Sequence, residues 1–299
     1  MKKLALITGI NYQGTEYELG GCINDASAIL HKLVEEFDFN SSDIQLLIEE
    51  VATKENILNG LELLIRQLEP GDIGVFTYAG HGTQTADLPP IGEEDMLDEA
   101  IVPIDAISDN SNLLRDDEIQ NVLSNLASGV HFVIIFDSCH SETATRMMIN
   151  NTDDIVELKD TISHATSVEE IKEIIGRINT SRAISEHKNH KKRYMEPSET
   201  VKKIKNIMVD VKRKRNRDLE HPLTGAGYLL FSGCKAHEVS FDDGTNGYFT
   251  KALIKNIKKG MTYRELYELA RGEVLSNSGG QQDPQIEGPE YLVNAKILE

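Results

Sequence analysis

One cysteine and one histidine stand at the ends of two apolar runs. Val130-His131-Phe132-Val133-Ile134-Ile135-Phe136 leads into Asp137-Ser138-Cys139-His140, and Ile73-Gly74-Val75-Phe76-Thr77-Tyr78-Ala79 leads into Gly80-His81-Gly82. A free thiol titrates near ~8.5, so Cys139 needs a base or a positive field to act as a nucleophile at neutral pH. His81 supplies the base, and its imidazole can return a proton to a leaving amine. Gly82 has no Cβ, which lets a backbone N–H close on a substrate carbonyl; with the N–H of Cys139 it makes a predicted oxyanion hole. His140 is read as structural, because adjacent side chains on an extended backbone point to opposite faces. The spacing from Cys139 to Arg146, and the placement of His140 after the cysteine, exclude a phosphatase loop. The pattern predicts nucleophilic catalysis by a thiol.

Such residues need rigid carriers, and the first 137 positions supply them. Strand-like stretches at Lys3 to Thr8, Ile44 to Ile48, Ile73 to Tyr78 and His131 to Phe136 alternate with helical patterns at Asp25 to Phe37, Lys54 to Leu68 and Arg115 to Leu126. This β-α-β order implies an α/β fold with a mostly parallel sheet flanked by helices on both faces. Residues 141–222 break the pattern, with two polar amphipathic helices expected at Val168 to Ile178 and Val201 to Val211. A strand at Gly227 to Ser232 follows, then helices at Gly247 to Ile257 and Thr262 to Leu275, and a last strand at Tyr291 to Leu298. The organisation expected is a catalytic segment over 1–150, a basic insert over 151–222, and a segment over 223–299 that completes the same domain.

The 299 residues carry a formal charge of −18, which argues against nucleic acid as a partner. The charge is uneven: residues 188–217 hold twelve Lys/Arg against three Asp/Glu, a local +9 on a body of −27. Three separated cysteines, Cys22, Cys139 and Cys234, indicate neither a disulfide framework nor a CxxC metal site and suit a reducing compartment. Lys2-Lys3-Leu4-Ala5-Leu6-Ile7 reaches Gly9 and Asn11 too soon for a signal peptide and reads as a buried first strand. No window approaches a membrane span. A cytoplasmic protein without a membrane partner is expected.

The chain resembles the caspase-like peptidases, and among them the metacaspases of type I and bacterial kind. The likeness rests on Ala5-Leu6-Ile7-Thr8-Gly9-Ile10-Asn11-Tyr12, Leu19-Gly20-Gly21-Cys22-Ile23-Asn24-Asp25-Ala26, Tyr78-Ala79-Gly80-His81-Gly82, Asp98-Glu99-Ala100-Ile101-Val102-Pro103-Ile104-Asp105 and Asp137-Ser138-Cys139-His140-Ser141. Weaker matches occur at Phe231-Ser232-Gly233-Cys234 and Gln282-Asp283-Pro284-Gln285-Ile286. The resemblance implies a caspase-like six-stranded sheet, a His81–Cys139 dyad, and an acidic S1 pocket formed by Asp25 and Asp137 and lined by Cys22. Two carboxylates select Arg or Lys at P1 of a peptide or protein substrate through charge-assisted hydrogen bonds. As a plain structural residue, Asp25 would instead cap the helix it begins. Ala79 stands where the family often has a serine, removing one polar contact to substrate.

The resemblance also implies calcium held by Asp98, Asp116 and Asp117, with Arg146 replacing an aspartate of that set; hard oxygen ligands suit this ion. No organic cofactor is expected. A monomer is expected, and the basic insert is expected to be a self-processing site at Lys191, Lys192, Arg193 or Lys212 through Arg217, shielding the cleft of a zymogen before cleavage. Two rival readings are a catalytically silent caspase-like module that binds peptides or partners, and an Asp-specific caspase, which would need arginines where this chain has acids.

Overall fold

The computed structural model describes residues 1–86, 97–139, 190–198, 201–202, 227–235 and 238–299. In chain order the elements are β1 (Lys3–Gly9), α1 (Cys22–Phe37), β2 (Ile44–Ile48), α2 (Lys54–Gln67), β3 (Ile73–Ala79), β4 (Gly82–Ala86), β5 (Leu97–Ile101), β6 (Leu114–Arg115), α3 (Asp116–Leu123), β7 (His131–Asp137), β8 (Lys191–Lys192), β9 (Leu229–Ser232), β10 (Phe241–Asp242), α4 (Tyr248–Asn256), α5 (Tyr263–Ser278), β11 (Gln285–Glu287) and α6 (Glu290–Val293).

The central sheet has six strands in the order β11-β9-β7-β3-β1-β2, all parallel except β11, which runs antiparallel to β9. Its apolar runs are continuous because both faces are covered. Leu4, Leu6, Phe76, Tyr78, Phe132, Ile134 and Phe136 face the cluster that includes Leu61 and Leu64 of α2 and Ile119 of α3. Ala5, Ile7, Val75, Val133 and Phe231 face the cluster built with α1, α4 and α5. The mostly parallel α/β arrangement is the one read from the alternation of patterns, and its six strands match the caspase-like sheet that the resemblance implies.

Register brings the chemistry together. Gly9 pairs with Ala79, and Ala79 pairs with Asp137, so β1, β3 and β7 end side by side. The N–H of Gly80 bonds to the carbonyl of Asp137, tying the two loops that carry His81 and Cys139 at their first residue.

Two expectations require correction. Tyr291 to Leu298 is not a strand. Its buried positions are Leu292, Val293, Ile297 and Leu298, a spacing that alternation cannot produce, and Pro289 opens the short helix α6 instead. The last strand is β11, ahead of it. A second sheet, β4-β5-β6, was not anticipated; β4 reads Gly-Thr-Gln-Thr-Ala and lacks an apolar face. Of the helices expected in the insert, Val168 to Ile178 lies outside the described residues, and so does Val201 to Val211 beyond Lys202, with Val201 and Lys202 helical.

Candidate active site

The loop after β1 prepares α1. Gly21, the N-cap, offers no side chain; the Asn11 Oδ1 accepts the N–H groups of Cys22 at 2.8 Å and Ile23 at 3.4 Å. Asp25 is therefore free of the capping task. It lies inside the first turn, fully buried, and its Oδ2 accepts the N–H of Gly247 at 2.9 Å while Oδ1 accepts from Asn246 Nδ2 at 2.8 Å. Asp137 accepts from Thr250 N at 2.9 Å and Thr250 Oγ1 at 2.8 Å, and so closes the N-terminus of α4, where a negative charge is favoured. Its other oxygen accepts from the Ser240 hydroxyl. Asp242, which the sequence did not single out, accepts from Gly21 N at 2.8 Å and Gly244 N at 2.7 Å.

These three carboxylates surround one cation from the chain itself. The Arg193 side chain is fully buried. Its Nη2 pairs with Asp25 and, at 3.1 Å, with Asp242, and its Nη1 lies 3.1 Å from Asp137 Oδ2 and donates to the Asp137 carbonyl at 3.2 Å. Burial pushes the Asp25 carboxyl up to about 7, with Arg193 holding it down against that. Cys22 is buried beside the same charges. Desolvation raises its thiol well above the usual range and the nearby acids add to that, with Arg193 acting in the opposite sense.

The backbone of residue 193 is held as firmly. Its carbonyl accepts the N–H of Gly82 and the N–H of Cys139, each at 3.1 Å, and its own N–H donates to the Ser240 carbonyl at 2.9 Å. Upstream, β8 pairs antiparallel with β10, Lys192 opposite Phe241 and Lys191 opposite Asp242. Downstream, Tyr194 bridges Gly82 and the Met195 N–H donates to the Gly82 carbonyl at 2.9 Å. A strand thus crosses the ends of β3 and β7 with one carbonyl between two converging donors, the geometry that stabilises a developing oxyanion.

His81 is buried against Tyr12, ring centroids 4.8 Å apart. Its Nε2 is 2.7 Å from the Tyr17 carbonyl, which can only accept, so Nε2 carries the proton and Nδ1 is left as the basic nitrogen. Nδ1 is buried without a hydrogen-bond partner among the described residues. Desolvation lowers the imidazole to about 4, so it is neutral and able to accept a proton. The Cys139 sulfur receives the Ser240 N–H and lies 3.4 Å from the Ser240 carbonyl. His81 and Cys139 thus meet at one peptide through Gly82 and the Cys139 amide, whereas the thiol itself bonds to Ser240.

The acidic residues expected to hold calcium lie on β5 and at the start of α3. Asp98 is buried with Arg115 Nε at 3.2 Å, Asp116 is buried, and Asp117 is exposed. Among the described residues no group of three His, Cys, Asp or Glu side chains is placed to hold a metal ion. Asp116 is nonetheless raised to about 8, by burial first and then by Glu99 and Asp98. Arg146, His140 and Lys212 through Arg217 lie outside the described residues. No helix among the described residues is long and apolar enough to cross a membrane.

A parallel sheet that presents a cysteine and a histidine on neighbouring strand ends, with two amides on one carbonyl, defines the caspase-like class. Residues 2–148 match the family model described as metacaspase, peptidase C14 domain. Metacaspase-1 of Saccharomyces cerevisiae (strain ATCC 204508 / S288c) is 30% identical over 302 residues, covering 95% of this chain and 66% of that protein. Metacaspase-1 of Schizosaccharomyces pombe is 28% identical over 306 residues, covering 94% and 66%. The chain thus spans just under two thirds of the length of these relatives. The crystal structure of protein GSU0716 from Geobacter sulfurreducens superposes with a TM-score of 0.62 at 21% identity, covering 100% of this chain and 98% of that one, a likeness of fold. The chain is thus similar to the metacaspases, a family of cysteine peptidases, over residues 2–148 in the family model and over most of its length in the relatives.

Proposed function

We propose that this chain is a cysteine endopeptidase that cleaves after Arg or Lys through Cys139 and His81, and that the Arg193–Tyr194 bond is its first substrate. One observation carries the reading: the Arg193 side chain is buried among Asp25, Asp137 and Asp242 while its carbonyl takes the Gly82 and Cys139 amides. A pocket of three carboxylates also opposes Asp at P1.

The step follows from the atoms. Nδ1 of His81 takes the thiol proton after the sulfur leaves Ser240, and the Cys139 thiolate attacks the Arg193 carbonyl carbon. The oxygen gains the negative charge between the two amides. The C–N bond to Tyr194 then breaks, its nitrogen receives the proton from His81, and an acyl thioester remains. Water, deprotonated by the imidazole, attacks that thioester, releasing the Arg193 carboxylate and returning the thiol. Until the segment withdraws, Arg193 also fills the pocket that an external substrate needs, so the uncut chain is a zymogen under this reading.

The test is incubation of the purified chain followed by intact mass measurement, with hydrolysis of peptides carrying Arg, Lys or Asp at P1. The expected result is a pair of fragments ending at Arg193 and beginning at Tyr194, and turnover of Arg and Lys peptides alone. An intact chain that cleaves none of them would assign it to the silent binding module. The same assay in calcium and in chelator settles the metal: loss of rate in chelator would support a cation at Asp98 and Asp116, and an unchanged rate would leave Arg115 as the counter-charge of Asp98.

Gly247 gives a second test of the pocket. A Cβ built there lies 2.6 Å from Arg193 Nη1 and also meets the Asp137 carboxylate. Gly247→Ala is expected to lower kcat/KM on an Arg peptide by about 100-fold, because displacing the P1 group misplaces the carbonyl it anchors. A wild-type value would place P1 elsewhere.

A further inference from the structure

The side of the strand that follows Arg193 is held by the protein as closely as the side that precedes it. Tyr194 is only 9% exposed and Met195 6%. Tyr194 belongs to a small apolar cluster with Cys139, Cys234, Val239 and Phe241, against which Tyr248 packs. Met195 enters the large cluster on the α2 and α3 face of the central sheet. Their backbone is fixed as well, through the bridge of Tyr194 to Gly82 and the bond from Met195 N–H to the Gly82 carbonyl. A segment needed only to deliver an arginine would have no cause to bury two large side chains beyond it; burial of such groups is where binding energy comes from.

From this placement we infer that the enzyme has formed S1′ and S2′ subsites, selecting a large aromatic residue and then an apolar one after the cleaved Arg. The S1′ wall is Val239, Cys234 and the nucleophile's own residue, Cys139. The substrate class is therefore a basic stretch followed directly by an aromatic-aliphatic pair, as in Lys191-Lys192-Arg193-Tyr194-Met195. This inference rests on the proposed reading of Arg193 as the P1 residue. It adds a requirement on the leaving-group side that an acidic pocket alone does not impose.

The test uses the full chain after self-cleavage and two kinds of substrate. Arginyl aminocoumarins have no peptide beyond the cleaved bond and report the pocket and nucleophile alone. Quenched peptides of the form Lys-Lys-Arg-X-Met, with X as Tyr, Ala or Asp, report the subsite. Tyr is expected to exceed Ala by about tenfold in kcat/KM, and Asp to fall lower still, in keeping with discrimination by a filled apolar pocket. Val239→Ala should narrow the Tyr-to-Ala ratio. In the uncut chain, Tyr194→Ala should slow first-order self-cleavage by a similar factor, read as the rate of fragment appearance by mass. Equal rates for Tyr, Ala and Asp alongside normal coumarin hydrolysis would overturn the subsite and leave the proposed function standing. No hydrolysis of the coumarin would overturn the proposed function, and the subsite with it.

Discussion

Cys139→Ala protein is expected to stay a single 33.3 kDa chain under conditions that convert the wild type to two fragments, and to hydrolyse no Arg peptide. The sulfur is the only atom lost, and it is the atom that attacks. The Arg193 carbonyl is held by the amide of residue 139, which alanine keeps, so the strand should remain seated and the protein should melt close to the wild type before cleavage. His81→Ala removes the Nδ1 base and should lower the rate by about 10⁴-fold or more, the scale seen when one member of a nucleophile–base unit is removed. Mass measurement over time checks both. Fragment formation by Cys139→Ala at the wild-type rate would assign the cut to a contaminating protease and remove the support for self-processing.

Loss of the buried cation should cost more stability than any other single change at the site. In a Cys139→Ala background, which keeps the chain whole, Arg193→Ala leaves Asp25, Asp137 and Asp242 buried without their common partner. Breaking a buried ion pair by removing one side costs about 3–5 kcal/mol. The pH dependence carries a definite sign. An unfolded aspartate titrates near ~3.9, whereas Asp25 in the folded chain stands at about 7. Between those values the folded state holds a proton that the unfolded state lacks, so this group's contribution weakens as pH rises through that window and levels off above it. Arg193 lowers the Asp25 value, so its removal lifts the folded pKa further and extends the loss to higher pH. The stability gap between the two proteins should therefore be smaller at pH 5 than at pH 8, as read by urea unfolding at each. A gap that does not change with pH would mean that water, rather than protons, meets the exposed carboxylates. Arg193→Lys should keep part of the stability, since an ammonium brings the charge without the planar fork that reaches three acids.

What the sequence discloses about this site depends on how each residue is carried. Cys139 and His81 were legible because each ends an apolar run long enough to be a buried strand, and parallel strands deliver their loops to one edge. Asp25 and Asp137 followed from the resemblance, and the chain's own physics agreed only on their sign. Asp242 was not legible. It lies in a two-residue strand before Asp243-Gly244-Thr245-Asn246-Gly247, a stretch that reads as a turn, and the Arg193 it meets is forty-nine positions upstream. Arg193 was named as one of several basic candidates, and nothing local separates it from Lys191 or Lys192. The signal that could have done so is the Tyr194-Met195 pair directly after it, two large apolar side chains in a charged stretch. The β4-β5-β6 sheet escaped for the opposite reason: short strands, β4 among them without an apolar face, have no periodicity to betray them.

The strand that runs from Lys191 through Met195 is tethered to the cleft it fills. A tether fixes the local concentration of a group regardless of how much protein surrounds it. If this strand is cut at Arg193 as proposed, dilution leaves the half-time of the first cut unchanged, and two copies have no need to meet. Under that proposal the chain carries its own clock, set by the chemistry at one peptide bond, and a cell making more of this protein would start more such clocks without making any of them run faster.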